Sequence, residues 1–98
     1  MQTKDVIVII EQGLHAKPAD MFVRAANKFT CDIRIKNLTK DSQFENAKSI
    51  LKVLALGIYR NHEIRLQTEG IDEAQAVNDL AQLLSTNFSE EARQGYKK

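Results

Sequence analysis

Gly13-Leu14-His15-Ala16-Lys17-Pro18 sets an imidazole beside a cation, directly ahead of a helix start. Pro18 suits the first turn of a helix, where its missing N–H costs little. Behind it, Ala19, Phe22, Val23 and Ala26 recur at helical spacing. A helix beginning near Ala16 leaves unpaired backbone N–H groups at its start, and these donors together with the helix dipole favour an anion. A histidine at that place can carry a phosphoryl group on a ring nitrogen, with the Ala16 and Lys17 N–H groups and the Lys17 ammonium as countercharge. The segment reads as a phosphohistidine site. The plain alternative is a capping or surface histidine, because short motifs match by chance.

The elements that must position this segment follow from apolar spacing. Val6-Ile7-Val8-Ile9-Ile10 is rich in β-branched residues and predicts a buried first strand. The first helix is expected from Ala16 to Lys28. Cys31, Ile33 and Ile35 alternate with Asp32, Arg34 and Lys36, the period of a strand with one wet face. Asn37 to Ser42 is polar and turn-like, and Gln43-Phe44-Glu45 predicts a short third strand. Ala47, Ile50, Leu51 and Leu54 fall at helical intervals and Gly57 stops that second helix. Ile64, Leu66 and Thr68 predict a fourth strand. Val77, Leu80, Ala81 and Leu84 form the buried stripe of a last helix, whose start carries Asp72 and Glu73. The order is β-α-β-β-α-β-α, with helices covering one face of a small antiparallel sheet.

Composition narrows the classes further. Ninety-eight residues allow one domain with a modest core. A hydrophobic fraction of 43% and a charged fraction of 28% are ordinary for a soluble globular chain. A net charge of +1 without a basic block argues against nucleic acid and against an anionic membrane surface. The apolar run Val6 to Ile10 is too short to span a bilayer. Glu11 and Gln12 end it without a small-residue cleavage site, so no signal peptide is expected. The single cysteine, Cys31, excludes an internal disulfide, fits a reducing compartment, and reads as a buried strand residue. His15 and His62 provide no metal-ligand spacing, so neither metal nor cofactor is expected; His62 reads as a surface residue near the start of a strand.

Gly13-Leu14-His15-Ala16-Lys17-Pro18 resembles the active-site motif of the histidine-containing phosphocarrier (HPr) family of the bacterial sugar phosphotransferase system, usually Gly-Leu/Ile-His-Ala-Arg-Pro. Lys17 stands where that family carries the arginine that contacts the phosphoryl group. Asn46-Ala47-Lys48-Ser49-Ile50-Leu51, followed by Leu56-Gly57-Ile58, is similar to the family's regulatory-serine region, Asn-Leu-Lys-Ser-Ile-Met. The resemblance runs from Val6 to Leu84. It implies an α+β open-faced β-sandwich, a four-stranded antiparallel sheet with three helices on one face. The HPr-like domain is expected over 1–88, with a polar extension over 89–98, helical or frayed. The stretch between the second strand and Ser49 is longer than the family's and lacks its Asn-Gly turn, so a longer loop is expected there.

The resemblance also implies a function. It is that of a cytoplasmic phosphocarrier, accepting a phosphoryl group on His15 from the phosphoenolpyruvate-dependent general phosphotransferase and passing it to sugar-specific acceptor proteins. Such a protein is a shuttled substrate and not a turnover enzyme. Neither motif supplies a second acid–base partner for His15, which argues against a hydrolase. Ser49 has two compatible readings, a helix N-cap and a regulatory phosphorylation site for a serine-specific HPr kinase. Ile50, Leu51 and Leu54 match positions that the family exposes to dock partners, with core packing as the ordinary alternative for some of them. Lys52 replaces a glycine at that patch. Arg24, with Lys28 a turn later, offers charge complementarity to an acidic partner. The rival reading is the catabolite-repression HPr-like branch, acting through phosphorylated Ser49 on a transcription factor. That branch lacks the catalytic histidine, so His15 favours the carrier.

Overall fold

In the computed structural model, residues 1–14 and 16–86 are described; His15 and residues 87–98, including the expected extension over 89–98, lie outside the described residues. Four strands, β1 (Gln2–Ile7), β2 (Asp32–Asn37), β3 (Glu45–Asn46) and β4 (Glu63–Glu69), form one antiparallel sheet in the order β1-β4-β2-β3. Three helices, α1 (Ala16–Ala26), α2 (Ile50–Ala55) and α3 (Glu73–Leu84), complete the expected β-α-β-β-α-β-α order.

The alternation in β2 and β4 is that of strands with one buried face. Ile33, Ile35, Ile64, Leu66 and Thr68 point into the core, whereas Asp32, Arg34, Glu63 and Glu69 are exposed. Thr68 is accommodated there because its Oγ1 donates to the Glu73 carbonyl at 2.8 Å. On the open face Asp5 meets its register partner Arg65 through two hydrogen bonds of 2.7 and 3.0 Å.

The first strand departs from the expected Val6–Ile10. It starts at Gln2, pairs with β4 as far as Ile7↔Glu63, and continues only through the isolated bonds Val8 N–H to His62 C=O and Asn61 N–H to Val8 C=O. Val8 and Ile10 are buried, while Ile7 and Ile9 face solvent. Isoleucine on both faces hid the period of two. The first helix ends at Ala26 and not at Lys28 because its last turn tightens: Lys28 and Phe29 donate to carbonyls three residues back.

The third strand is Glu45–Asn46, shifted from Gln43–Glu45. Ser42 Oγ accepts the Asn37 N–H at 2.8 Å and Ser42 N–H returns to the Asn37 carbonyl, so the loop closes on itself before pairing can begin. Along α2 and its flanks, Ala47 and Val53 are fully buried, Leu56 is buried and Ile50 packs on the core, a stripe at every third residue, while Leu51 and Leu54 are exposed. This spacing of three follows from the turns bounding the helix, Ser49 to Asn46, Leu56 to Val53 and Gly57 to Leu54, each an i to i−3 bond. Gly57 does sit at the stop, with φ +56°.

Asp72 precedes α3, but its side chain does not cap that helix. The carboxylate accepts from Thr30 N–H and Cys31 N–H, both at 2.9 Å, and from Thr30 Oγ1 at 3.3 Å, tying α3 to the start of β2. These donors, the Thr30 N–H foremost, hold the carboxyl down at about 2, below its usual 3.8. A depressed carboxyl contributes stability above the unfolded-state value and loses it as pH falls through the folded one. The melting-temperature gap between the parent protein and Asp72→Asn is therefore expected to be full above pH ~4 and to shrink towards pH ~2. A gap independent of pH would show that the charge does not matter. Cys31 beside it is buried as expected, and desolvation, with Asp72 second, pushes its thiol up to about 11.

Candidate functional site

α1 is anchored by Pro18, Ala19, Phe22, Val23 and Ala26, all buried. Full burial of a side chain such as Phe22 is worth about 1.5–3 kcal/mol. That anchoring fixes the helix start, where Ala16 and Lys17 are both exposed. Ala16 has φ +45°, a left-handed conformation that an alanine adopts only under constraint from its surroundings. His15, bonded to Ala16 and Leu14, lies outside the described residues.

The approach to this helix start is tied to the segment after α2. Leu14 is buried and its N–H donates to the Ile58 carbonyl at 2.8 Å. Gly13 has φ +75°, and a Cβ there would lie 2.5 Å from the same oxygen and 2.8 Å from Tyr59 Cα. Only glycine fits at that distance, which gives the first residue of the motif a physical reason.

The expected partner-facing residues divide. Leu51 is 75% exposed and Leu54 39%, whereas Ile50 is half-buried against the core. Arg24 is exposed and pairs with Asp20 one turn earlier at 2.9 Å, an i,i+4 contact worth about 0.3–0.5 kcal/mol. Its charge is thus partly answered within α1. Lys52 lies 4.0 Å from Glu45.

Ser49 is the N-cap of α2, with φ −109° and ψ 117°, and its Oγ accepts the Lys52 N–H at 3.4 Å. The preceding segment is pinned to the end of α1: Lys48 Nζ donates to the Phe29 carbonyl at 2.7 Å and Asn27 Nδ2 to the Lys48 carbonyl at 3.2 Å. These contacts were not legible in the motif, where Lys48 is only a charge before a serine.

His62 is not a simple surface residue. It is half-buried, and its Nδ1 lies 3.1 Å from both Tyr59 N–H and Asn37 Nδ2. Among the described residues no group of three or more His, Cys, Asp or Glu could hold a metal. An open concavity of about 320 Å³ among Arg34, Phe44, Asn46 and Lys48 belongs to the β2–β3 edge, not to the start of α1. No described helix is long and apolar enough to cross a membrane.

A four-stranded antiparallel sheet with three helices is the frame of a small α+β domain. The family model described as "PTS HPr component phosphorylation site" matches residues 2–86. The phosphocarrier protein HPr of Buchnera aphidicola is 38% identical over 86 residues, covering 88% of this chain and 98% of that protein. The multiphosphoryl transfer protein of Haemophilus influenzae is 39% identical over 80 residues, 82% of this chain, which spans only 16% of that protein's length. The crystal structure of HPr-C-His from Thermoanaerobacter tengcongensis superposes with a TM-score of 0.83 at 35% identity, covering 91% of this chain and 97% of that one. The chain belongs to the HPr family of the phosphotransferase system.

Proposed function

We propose that this protein is a cytoplasmic phosphocarrier that receives a phosphoryl group on His15 from the phosphoenolpyruvate-dependent general phosphotransferase and delivers it to sugar-specific acceptor proteins. The observation that carries this reading is the position of His15 immediately before an eleven-residue helix whose first residues, Ala16 and Lys17, are exposed. A neutral imidazole is nucleophilic near neutral pH. As its lone pair forms the N–P bond, the donor's bond to phosphorus breaks. The helix-start N–H groups and the Lys17 ammonium favour the added negative charge. Transfer to an acceptor reverses these steps, so the protein cycles and makes no product of its own. Leu51 and Leu54 offer an apolar docking patch for transient partners, with Ile50 at its base and Arg24 as a charged flank. Incubation with phosphoenolpyruvate and the general phosphotransferase tests the reading. It should add one acid-labile phosphoryl group; absence of labelling would refute it.

Phosphorylation of Ser49 by a serine-specific kinase, read by a transcription factor, is the second reading, favoured by the N-cap geometry. Aspartate caps as well as serine, so a charge there is compatible with α2. Ser49→Asp is expected to keep its melting temperature within about 4 °C, the shift that ~1 kcal/mol produces in a domain of this size. A collapse in calorimetry would show that the hydroxyl cannot accept a charged group.

A further inference from the structure

The segment leading into His15 hangs on a loop whose geometry turns on one imidazole. Leu14 is held by the Ile58 carbonyl, and Gly13 packs against Ile58 and Tyr59 without room for a methyl group. The Gly13–Leu14 peptide is therefore placed only as well as Ile58–Tyr59 is. The Tyr59 N–H in turn donates to His62 Nδ1 at 3.1 Å. A backbone N–H can only donate, so Nδ1 carries the lone pair and the neutral ring bears its proton on Nε2.

The same nitrogen has a second donor. Asn37 is fully buried, and its amide is oriented by the Lys40 N–H, which donates to Oδ1 at 3.2 Å. That leaves Nδ2 facing His62 Nδ1 at 3.1 Å and the Leu56 carbonyl at 3.3 Å. The Nδ1 lone pair thus joins β2 to the Tyr59 peptide, and the same Asn37 amide reaches the end of α2 through the Leu56 carbonyl. The surrounding turn is closed by His62 N–H to Tyr59 C=O at 3.1 Å, with Asn61 at φ +74°, and is tied to Val8 in both directions. The Tyr59 ring stands edge-on to the imidazole with centroids 5.6 Å apart.

We infer that His62 is a positioning residue for the phosphoacceptor segment: its Nδ1 holds Tyr59 and Asn37 together and thereby fixes the carbonyl on which Leu14 hangs. The kinetic consequence rests on the carrier reading; the positioning does not. Removing the acceptor leaves the Tyr59 N–H and one of the two hydrogens on the buried Asn37 Nδ2 unanswered, and such groups draw the local backbone out of place.

The test compares His62→Leu with His62→Asn, since an asparagine Oδ1 can accept near the place of the imidazole Nδ1 and leucine cannot. In His62→Leu the Leu14 amide should exchange faster with solvent, and phosphoryl transfer to His15 should fall roughly tenfold to a hundredfold, as expected for misplacement on the ångström scale. His62→Asn should restore both. Unchanged Leu14 exchange and transfer in His62→Leu, or no rescue by asparagine, would overturn the inference. Should His62→Leu fail to fold, nitrogen NMR of the parent protein decides, because a neutral ring protonated at Nδ1 contradicts it. Absence of His15 labelling in the parent would refute the carrier reading alone, and the Leu14 exchange rates would still decide the role of His62.

Discussion

His15→Ala is expected to abolish acid-labile labelling by phosphoenolpyruvate and the general phosphotransferase, a loss beyond about 10³-fold, the scale on which a covalent nucleophile is missed. The fold should survive, since α1 is held by Phe22 and its buried neighbours and not by the residue before its first turn. A melting temperature near the parent's would document this. The other nucleophiles in the chain make the result interpretable. Cys31 is buried with its thiol pushed up to about 11, too high for a thiolate at neutral pH. Ser49 would give an acid-stable ester, distinguishable from a phosphoimidazole by brief acid treatment. His62 is the chain's second imidazole, and its Nδ1 is occupied by two donors. Equal acid-labile labelling of His15→Ala would therefore point to His62 and remove the basis for the proposed site.

Legibility of the fold depended on whether burial was one-sided and whether the period was regular. Ile33, Ile35, Ile64 and Leu66 alternate with polar residues, and their strands lie where alternation predicts. Ile7 and Ile9 broke the rule by placing apolar side chains on the wet face of an edge strand, which moved the predicted strand towards the C-terminus. Around α2 the inward residues Ala47, Ile50, Val53 and Leu56 recur every third residue, so helical spacing alone did not separate them from the exposed Leu51 and Leu54. At the site, the motif named the residues at the helix start but not what holds them. Asn37 looks like a loop residue in sequence, yet it is fully buried and meets His62 twenty-five residues away. Such long-range polar pairs leave no periodic trace. The contact of Gly13 with Ile58 is equally silent, since a glycine signals permissiveness without naming the neighbour that demands it.

Lys17 separates a working carrier from a relative acting only through Ser49. It occupies the exposed first turn of α1, at the position where the resembled family carries arginine. Lys17→Glu is expected to lower phosphoryl transfer at least tenfold, because a carboxylate beside the arriving anion replaces attraction by repulsion; a loss of about 1.4 kcal/mol in the transition state is already tenfold. The same substitution should not destabilise the domain, since an acidic side chain is favourable at a helix N-terminus. A slower rate with an unchanged melting temperature would thus assign the effect to the phosphoryl group and not to the helix. Lys17→Arg should preserve or raise the rate, because a planar guanidinium holds two phosphoryl oxygens where an ammonium acts as a point charge. Rates should be compared at low and at moderate ionic strength, since screening weakens an exposed charge and should narrow the gap between the glutamate and arginine variants. If neither variant changes the rate at either salt concentration, Lys17 supplies no countercharge to the phosphoryl group. The helix-start amides would then carry that task alone, and the Ser49 reading would gain at the carrier's expense.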